Sequence, residues 1–187
     1  MNDIEQTGGL DEARWVFKAQ AGDRSALDQL LRQHEIPLLR HVYRVIGDEP
    51  AAYDALQETF IVVAKNIQRL RVREKFKAWL FGVATRVALS RRSRSWYARV
   101  SLGSDAECPD ERNSGYELFA RKEEVAQMLR EVDALSAPLR AVILLHYIEE
   151  LTLDETASAL ELPLGTVKSR LAAGLAQLRR SFMSNLP

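Results

Sequence analysis

Asp54 and Glu58 stand four residues apart in the segment YDALQETF, with Gln57 beside them, a spacing that puts both carboxylates on one face of a helix. Paired carboxylates can do acid–base work or hold a metal ion, and both tasks need further groups close by. None is supplied: His34 and His41 lie upstream, seven residues apart, and His146 stands alone in the second half of the chain. These histidines read as packing or surface residues. Cys108 is the single cysteine, which removes any disulfide framework or thiolate-rich zinc site and points to a reducing compartment. No glycine-rich phosphate loop or nucleophile triad pattern is visible. No cofactor or metal is expected, and the helix bearing Asp54, Gln57 and Glu58 reads as a surface for a basic partner.

A second constellation follows directly. Arg69, Arg71, Arg73, Lys75 and Lys77 line a loop and the start of the next helix; Phe76, Trp79 and Phe81 interleave; Arg86, Arg91, Arg92, Arg94 and Arg99 follow with Trp96 and Tyr97. Contact with duplex phosphates requires only charge, whereas an opened strand also requires surfaces on which bases can stack. Charge and aromatic rings in one stretch therefore fit opened strand. Trp79 falls on the apolar side of its helix and reads first as core.

The third constellation is LTLDETASALELPLGTVKSRLAAGLAQLRR, near the C-terminus. Thr152 and Glu155 have capping-box spacing, so a helix starts there, short, with Ala157 and Leu160 inward. Glu161-Leu162-Pro163 breaks it before a second helix opens near Leu164. In that helix Val167, Leu171, Gly174, Leu175 and Leu178 share the inward face, and Gly165, Thr166, Lys168, Ser169, Ala172 and Ala173 the opposite one. Small and hydrogen-bonding residues with one lysine at a helix N-terminus fit the major groove of DNA. No acid follows Glu161, while Lys168, Arg170, Arg179 and Arg180 do; Arg170 sits beside the apolar stripe and suits a phosphate contact.

The whole-chain charge hides these surfaces, because 26 basic and 26 acidic residues cancel. By block, residues 1–64 hold 6 basic and 11 acidic (net −5), 65–100 hold 11 and 1 (net +10), 101–163 hold 5 and 14 (net −9), and 164–187 hold 4 and none (net +4). Two cationic surfaces on an otherwise acidic protein are the footprint of polyanion binding.

Elements that position these residues follow from helix-period patterning, which dominates a chain without convincing period-two alternation. The fold class is all-α: two small helical domains, 10–98 and 118–183, joined by a flexible linker at 99–117. A helix from Leu10 to Ala21 ends at Gly22; Asp23 or Ser25 caps the next, which Pro37 should kink and Gly47 closes; Pro50 suits the first turn of a third, with Leu56, Phe60 and Val63 as its stripe through Asn66. A basic loop, Ile67 to Lys75, leads to a fourth with Trp79, Val83 and Val87 on its apolar side. From Ser101 to about Tyr116 the composition is too polar to fold alone. Periodicity returns at Leu118, Val125, Leu129 and Val132, and after Pro138 the residues Leu139, Val142, Ile143 and Leu145 supply a second core. No stretch reaches the ~18 apolar residues of a membrane span, and the polar, acidic N-terminus is unlike a signal peptide, so a cytoplasmic protein is expected.

DALQETF at 54–60, FKAWLFGVATRVALSRRSR at 76–94 and LPLGTVKSRLAAGLAQLR at 162–179, in this order and separation, resemble bacterial sigma factors of the extracytoplasmic-function (ECF) class, which keep only the second and fourth sigma regions. The resemblance covers about Ala13 to Arg94 and Leu135 to Arg180. It implies a four-helix region 2 domain, a helix-turn-helix region 4 domain, and a factor that binds core RNA polymerase and directs promoter recognition for a stress- or signal-responsive set of genes. Asp54, Gln57, Glu58 and Phe60 would bind the clamp helices of the β′ subunit, with the β flap as a further contact on core. Asn66, Arg69, Arg71, Arg73, Lys75, Lys77 and Trp79 would take flipped bases of the nontemplate strand at the minus-10 element, and Arg86, Arg91, Arg92 and Arg94 would hold adjacent DNA. Gly165, Thr166, Lys168, Ser169, Arg170, Ala173 and Arg179 would meet the minus-35 element. An anti-sigma factor is the implied antagonist and could hold the protein at the inner membrane face. The chain departs from the usual pattern at Arg86 and Ser90, where Asn and Asp are common, and at Ala172-Ala173, where a basic residue often follows SRL; the second departure predicts a weaker region 4 grip.

A transcriptional regulator with a C-terminal helix-turn-helix and an N-terminal sensor would leave the cationic aromatic stretch and the acidic QE helix unexplained. An RNA-processing enzyme would need a catalytic constellation that the sequence does not show.

Overall fold

A computed structural model of the chain describes the backbone of residues 3–71, 75–101 and 123–184, and the side chains of 12–71, 75–91 and 128–183. Every regular element among them is helical. Helix α1 (Asp3–Gln20) starts ahead of the expected Leu10, because apolar periodicity under-reads a polar extension whose acids suit a helix N-terminus. Gly22, at φ 95°, turns the chain. Asp23 then caps α2 (Arg24–Ile46), its carboxylate accepting from the amides of Ser25 and Ala26 at 2.9 and 3.2 Å. The Ser25 hydroxyl, foremost, and the Ala26 amide hold that carboxyl below its ordinary range. Ser25, the other candidate cap, serves as a donor to Asp23. Although Pro37 lacks an N–H for the helical ladder, α2 is continuous through it.

Gly47, at φ 81°, closes α2 by donating its amide to Tyr43 O at 2.7 Å. Asp48 caps α3 (Glu49–Asn66), whose Ala52, Ala55, Leu56, Thr59 and Val63 are buried while Phe60 is half-buried. A short 3-10 turn, Ile67–Arg69, begins the connection to α4 (Phe76–Ser101), and Gln20 fastens it by donating to Ile67 O and Leu70 O at 3.0 and 2.7 Å.

The second helical set comprises α5 (Glu123–Asp133), α6 (Ala137–Ile143), which runs into a π-helical turn over Leu144–Ile148, α7 (Leu153–Leu160) and α8 (Leu164–Ser184). The capping box forms as its spacing requires: Thr152 Oγ1 accepts from the Glu155 amide at 3.2 Å and Glu155 Oε2 accepts from the Thr152 amide at 3.0 Å. Between α7 and α8, Glu161 adopts φ 55° and donates its amide to carbonyls of α7. Residues 102–122, which hold most of the expected linker and the start of the next periodic stretch, lie outside the described residues.

Val142, Ile143 and Leu145 are buried, but the expected second core is not separate. Their apolar cluster runs without a break into Leu38, Val42, Leu80 and Phe81 of α2 and α4. The junction is possible because α4 and α7 touch backbone to backbone: a Cβ on Gly82 would lie 2.6 Å from Ala159 O. Arg140, 3% exposed, bridges the sets beside it, donating to Arg44 O and Val45 O in the last turn of α2, to Leu135 O, and to Asp133 O at the end of α5. A cation there offsets the carbonyl ends of two helices.

Candidate nucleic-acid interface

α3 exposes Asp54 and Gln57 and half-buries Glu58 and Phe60. Helix α4, packed alongside, brings Arg91 against the same face: its Nε donates to Glu58 Oε2 at 2.7 Å and its Nη1 lies 3.4 Å from Asp54 Oδ2. One cation expected on DNA thus lies within the acidic patch expected on a protein partner. Tyr53 and Ile61, exposed on the same helix, flank Gln57 at spacings of four; that spacing was the available signal, and sequence reasoning missed it.

In the loop, Arg69, Arg71 and Lys75 are exposed and Asn66 is half-buried, its Nδ2 donating to Val62 O at 2.8 Å. Arg73 lies outside the described residues. The aromatic part of the expectation changes. Phe76 and Phe81 are buried in the core, 0% and 1% exposed, and cannot serve as stacking platforms, because each fills space between helices. Trp79 is half-buried, packed on that core with its ring 6.1 Å from Phe76, and keeps only part of its surface in solvent. The side chains of Trp96, Tyr97, Arg92 and Arg94 lie outside the described residues, although their backbone belongs to α4.

Lys77 donates to Glu149 O at 3.0 Å and sits 5.9 Å above the Phe81 ring. Arg86 donates to Ala159 O through Nη1, with Nη2 3.4 Å from Glu161 Oε1. Both reach across to the second helical set, which no local pattern in the sequence announced.

α8 shows Gly165, Lys168, Ser169, Ala173 and Arg179 at the surface, with Thr166 and Arg170 half-buried. Ser169 Oγ donates back to Thr166 O at 3.0 Å. The inward face holds Val167, Leu171, Gly174 and Leu178, and at Gly174 a Cβ would come 3.2 Å from Ile143 Cγ1. Leu175 is a correction: it is 39% exposed, since one residue past Gly174 is about 100° further round the helix and away from α6.

Among the described residues, no group of three or more His, Cys, Asp or Glu side chains could hold a metal ion, and no helix is long and apolar enough to cross a membrane. The arrangement is therefore an acidic helix face, a cationic loop with its following helix, and a helix-turn-helix whose second helix exposes small and basic residues.

Two sigma-70 family patterns match the chain in the same order: region 2 over residues 30–97 and region 4 over residues 126–178. An ECF RNA polymerase sigma factor, SigE of Mycolicibacterium smegmatis, is 33% identical over 169 residues, covering 88% of this chain and 65% of its own length. SigW of Bacillus subtilis, also an ECF sigma factor, is 27% identical over 180 residues, covering 88% of this chain and 93% of its own. The fold matches that of the sigma factor RpoE from Bartonella quintana, solved in complex with the anti-sigma factor NepR, with a TM-score of 0.67 at 19% identity over 85% of this chain and 98% of that one. The chain belongs to the ECF family of RNA polymerase sigma factors, which are transcription initiation factors.

Proposed function

We propose that this chain joins core RNA polymerase through the α3 face of Asp54, Gln57, Glu58 and Phe60, captures opened minus-10 DNA with the loop and α4, and reads the minus-35 element with the start of α8, doing no bond chemistry of its own. The observation that carries this reading is the sequence of surfaces along one chain: exposed carboxylates on α3, exposed Arg69, Arg71 and Lys75 immediately after it, and exposed Lys168 on a helix-turn-helix. Polymerase clamps, phosphates and base edges each call for one of these. Minus-35 contacts are assigned to Gly165, Thr166, Lys168, Ser169, Arg170, Ala173 and Arg179, and minus-10 contacts to Asn66, Arg69, Arg71, Arg73, Lys75, Lys77, Trp79, Arg86, Arg91, Arg92 and Arg94.

An anti-sigma factor is the proposed antagonist, in keeping with the partner in the Bartonella quintana structure. Residues 10–98 and 118–183 act as the two functional units, and the protein works in the cytoplasm, where the polymerase is. Co-purification with core polymerase followed by sequencing of the bound DNA tests the proposal: core retention and enrichment of one two-element promoter are expected, and a chain that binds duplex DNA but never core would be an ordinary regulator instead.

A further inference from the structure

Gln20 is the last residue of α1, and its side chain bonds to backbone 47 and 50 residues further on. Its Nε2 donates to Ile67 O at 3.0 Å and to Leu70 O at 2.7 Å, the first carbonyl of the 3-10 turn and the one just past its end. A primary amide offers two N–H groups, so one side chain serves both acceptors. The turn has little other support at its ends: Leu70 N donates to Ile67 O at 3.1 Å, and Asn66 Nδ2 reaches back to Val62 O without capping the turn. Its side chains divide sharply. Ile67 is buried and Leu70 half-buried on the core, whereas Gln68, Arg69 and Arg71 are exposed. Seating α1 does not depend on these bonds, because Val16 and Ala19 are buried and Glu12 meets His34 of α2 at 2.9 Å. Gln20 thus ties the loop to a helix held by other means, which is how a rigid element supports a binding segment.

We propose that Gln20 is a positioning residue for base discrimination: its two hydrogen bonds hold the Ile67–Leu70 turn in the conformation that presents Gln68, Arg69 and Arg71 to the opened strand. The proposal rests on the reading of this loop as the minus-10 contact. Phosphate contacts tolerate a displaced guanidinium, because charge acts over several ångströms. Base edges do not, because paired hydrogen bonds need both donors and acceptors in place at once. Amide and guanidinium groups both carry such paired edges. Loosening the turn must therefore cost discrimination between bases more than it costs affinity for single strand in general.

The test is Gln20→Met in the full chain, assembled with core polymerase. Methionine keeps the length of the side chain and suits a helix, yet has no N–H to donate. Two fluorescein-labelled single strands serve as probes at fixed salt: the nontemplate strand across the minus-10 element of the promoter recovered with the parent, and the same strand with that element scrambled. The ratio of affinities should fall roughly tenfold, in keeping with two lost hydrogen bonds of modest net worth, while affinity for the scrambled probe stays near the parent's. Amides at 67–71 should exchange faster with deuterium, and capture of core and duplex binding through α8 should be unchanged. Gln20→Glu, which keeps the shape but sets an acceptor against both carbonyls, should reproduce the loss. Val16→Ala, one turn earlier and fully buried, controls for plain destabilisation: a lower melting temperature with the parent's ratio is expected. If Gln20→Met keeps the ratio, if it weakens both probes alike, or if Val16→Ala loses as much discrimination, Gln20 does not position the loop for base reading. A discriminating parent matched by its variants overturns the positioning role alone, whereas a parent that binds core yet prefers neither probe overturns the reading of the loop and the proposal with it.

Discussion

Arg91 and Glu58 are joined across α3 and α4 by a 2.7 Å charge-assisted hydrogen bond, with Asp54 close enough to share the guanidinium. The pair holds the carboxylates of the proposed polymerase face in place from behind, so that face is preorganised by a residue from the proposed DNA surface. Exchanging Asp54 and Glu58 for lysine should abolish capture by core polymerase in a pull-down while the helical circular dichroism persists, because the pair is partly exposed and contributes only about 1 kcal/mol or less to stability. Unchanged capture would remove α3 from the polymerase interface.

Arg91→Gln separates the two roles. It leaves both carboxylates present, so core binding should survive, while promoter opening by the resulting holoenzyme should weaken if Arg91 also contacts DNA. Equal loss of both would mean that Arg91 acts only by ordering α3.

The capping box of α7 predicts a pH dependence. Glu155 is held below the ordinary carboxylate value first by the Thr152 amide, against desolvation, with the Thr152 hydroxyl, Lys75 and Lys77 assisting. A carboxyl whose folded-state pKa is depressed contributes stability that is present above its unfolded value and lost as pH falls through the folded one. Thermal melts of the parent should thus decline as pH drops below about 4.5, the ordinary value, and Glu155→Gln should flatten that part of the decline. At neutral pH, Thr152→Ala should cost about 1 kcal/mol. A Glu155→Gln profile parallel to the parent's would show that the box does not govern this region.

Helix ends were legible because caps are local chemistry: Asp23, Gly47 and the Thr152–Glu155 box are each within four residues of what they bond. The helix-turn-helix and the α3 face were legible for the same reason, as spacings of three and four along one helix. The contact between the units was not, since His41 meets Glu149 across 108 residues and Arg86 meets Ala159 across 73. Two residues still carried a signal. Gly82 interrupts an otherwise good helix former, and Arg140 sits as a lone charge in the apolar run PLRAVILL, where only a bonded cation could be buried. The burial of Phe76 and Phe81 was misread because cations around an aromatic suggest a stacking site as readily as the edge of a core.

Arg140 should therefore be among the most sensitive positions outside the proposed contacts. Arg140→Met keeps the volume but removes the donors that serve Arg44, Val45, Asp133 and Leu135 carbonyls. Each buried acceptor left unpaired costs about 1–3 kcal/mol, visible as a lower denaturation midpoint with minus-35 binding by α8 retained. A midpoint equal to the parent's would mean that water or relaxed geometry satisfies those carbonyls.

The two kinds of contact proposed for α8 can be separated by salt. On the proposed docking of α8, Lys168, exposed near the helix start, and Thr166, half-buried beside it, would face base edges, whereas Arg179, about three turns on, would reach only backbone. Replacing Lys168 or Thr166 with alanine should cost ~1–3 kcal/mol on the cognate minus-35 duplex if a bidentate base contact is lost, and little on an unrelated duplex. Replacing Arg179 should weaken all duplexes alike and lower the slope of log affinity against log salt by about one. Titration of each variant on both duplexes at several salt concentrations reads the two effects apart. If Lys168→Ala weakened cognate and unrelated duplexes equally and shifted the salt slope as Arg179→Ala does, Lys168 would be a phosphate contact, and sequence reading would have to rest on Thr166 and Ser169 or on the shape of the DNA.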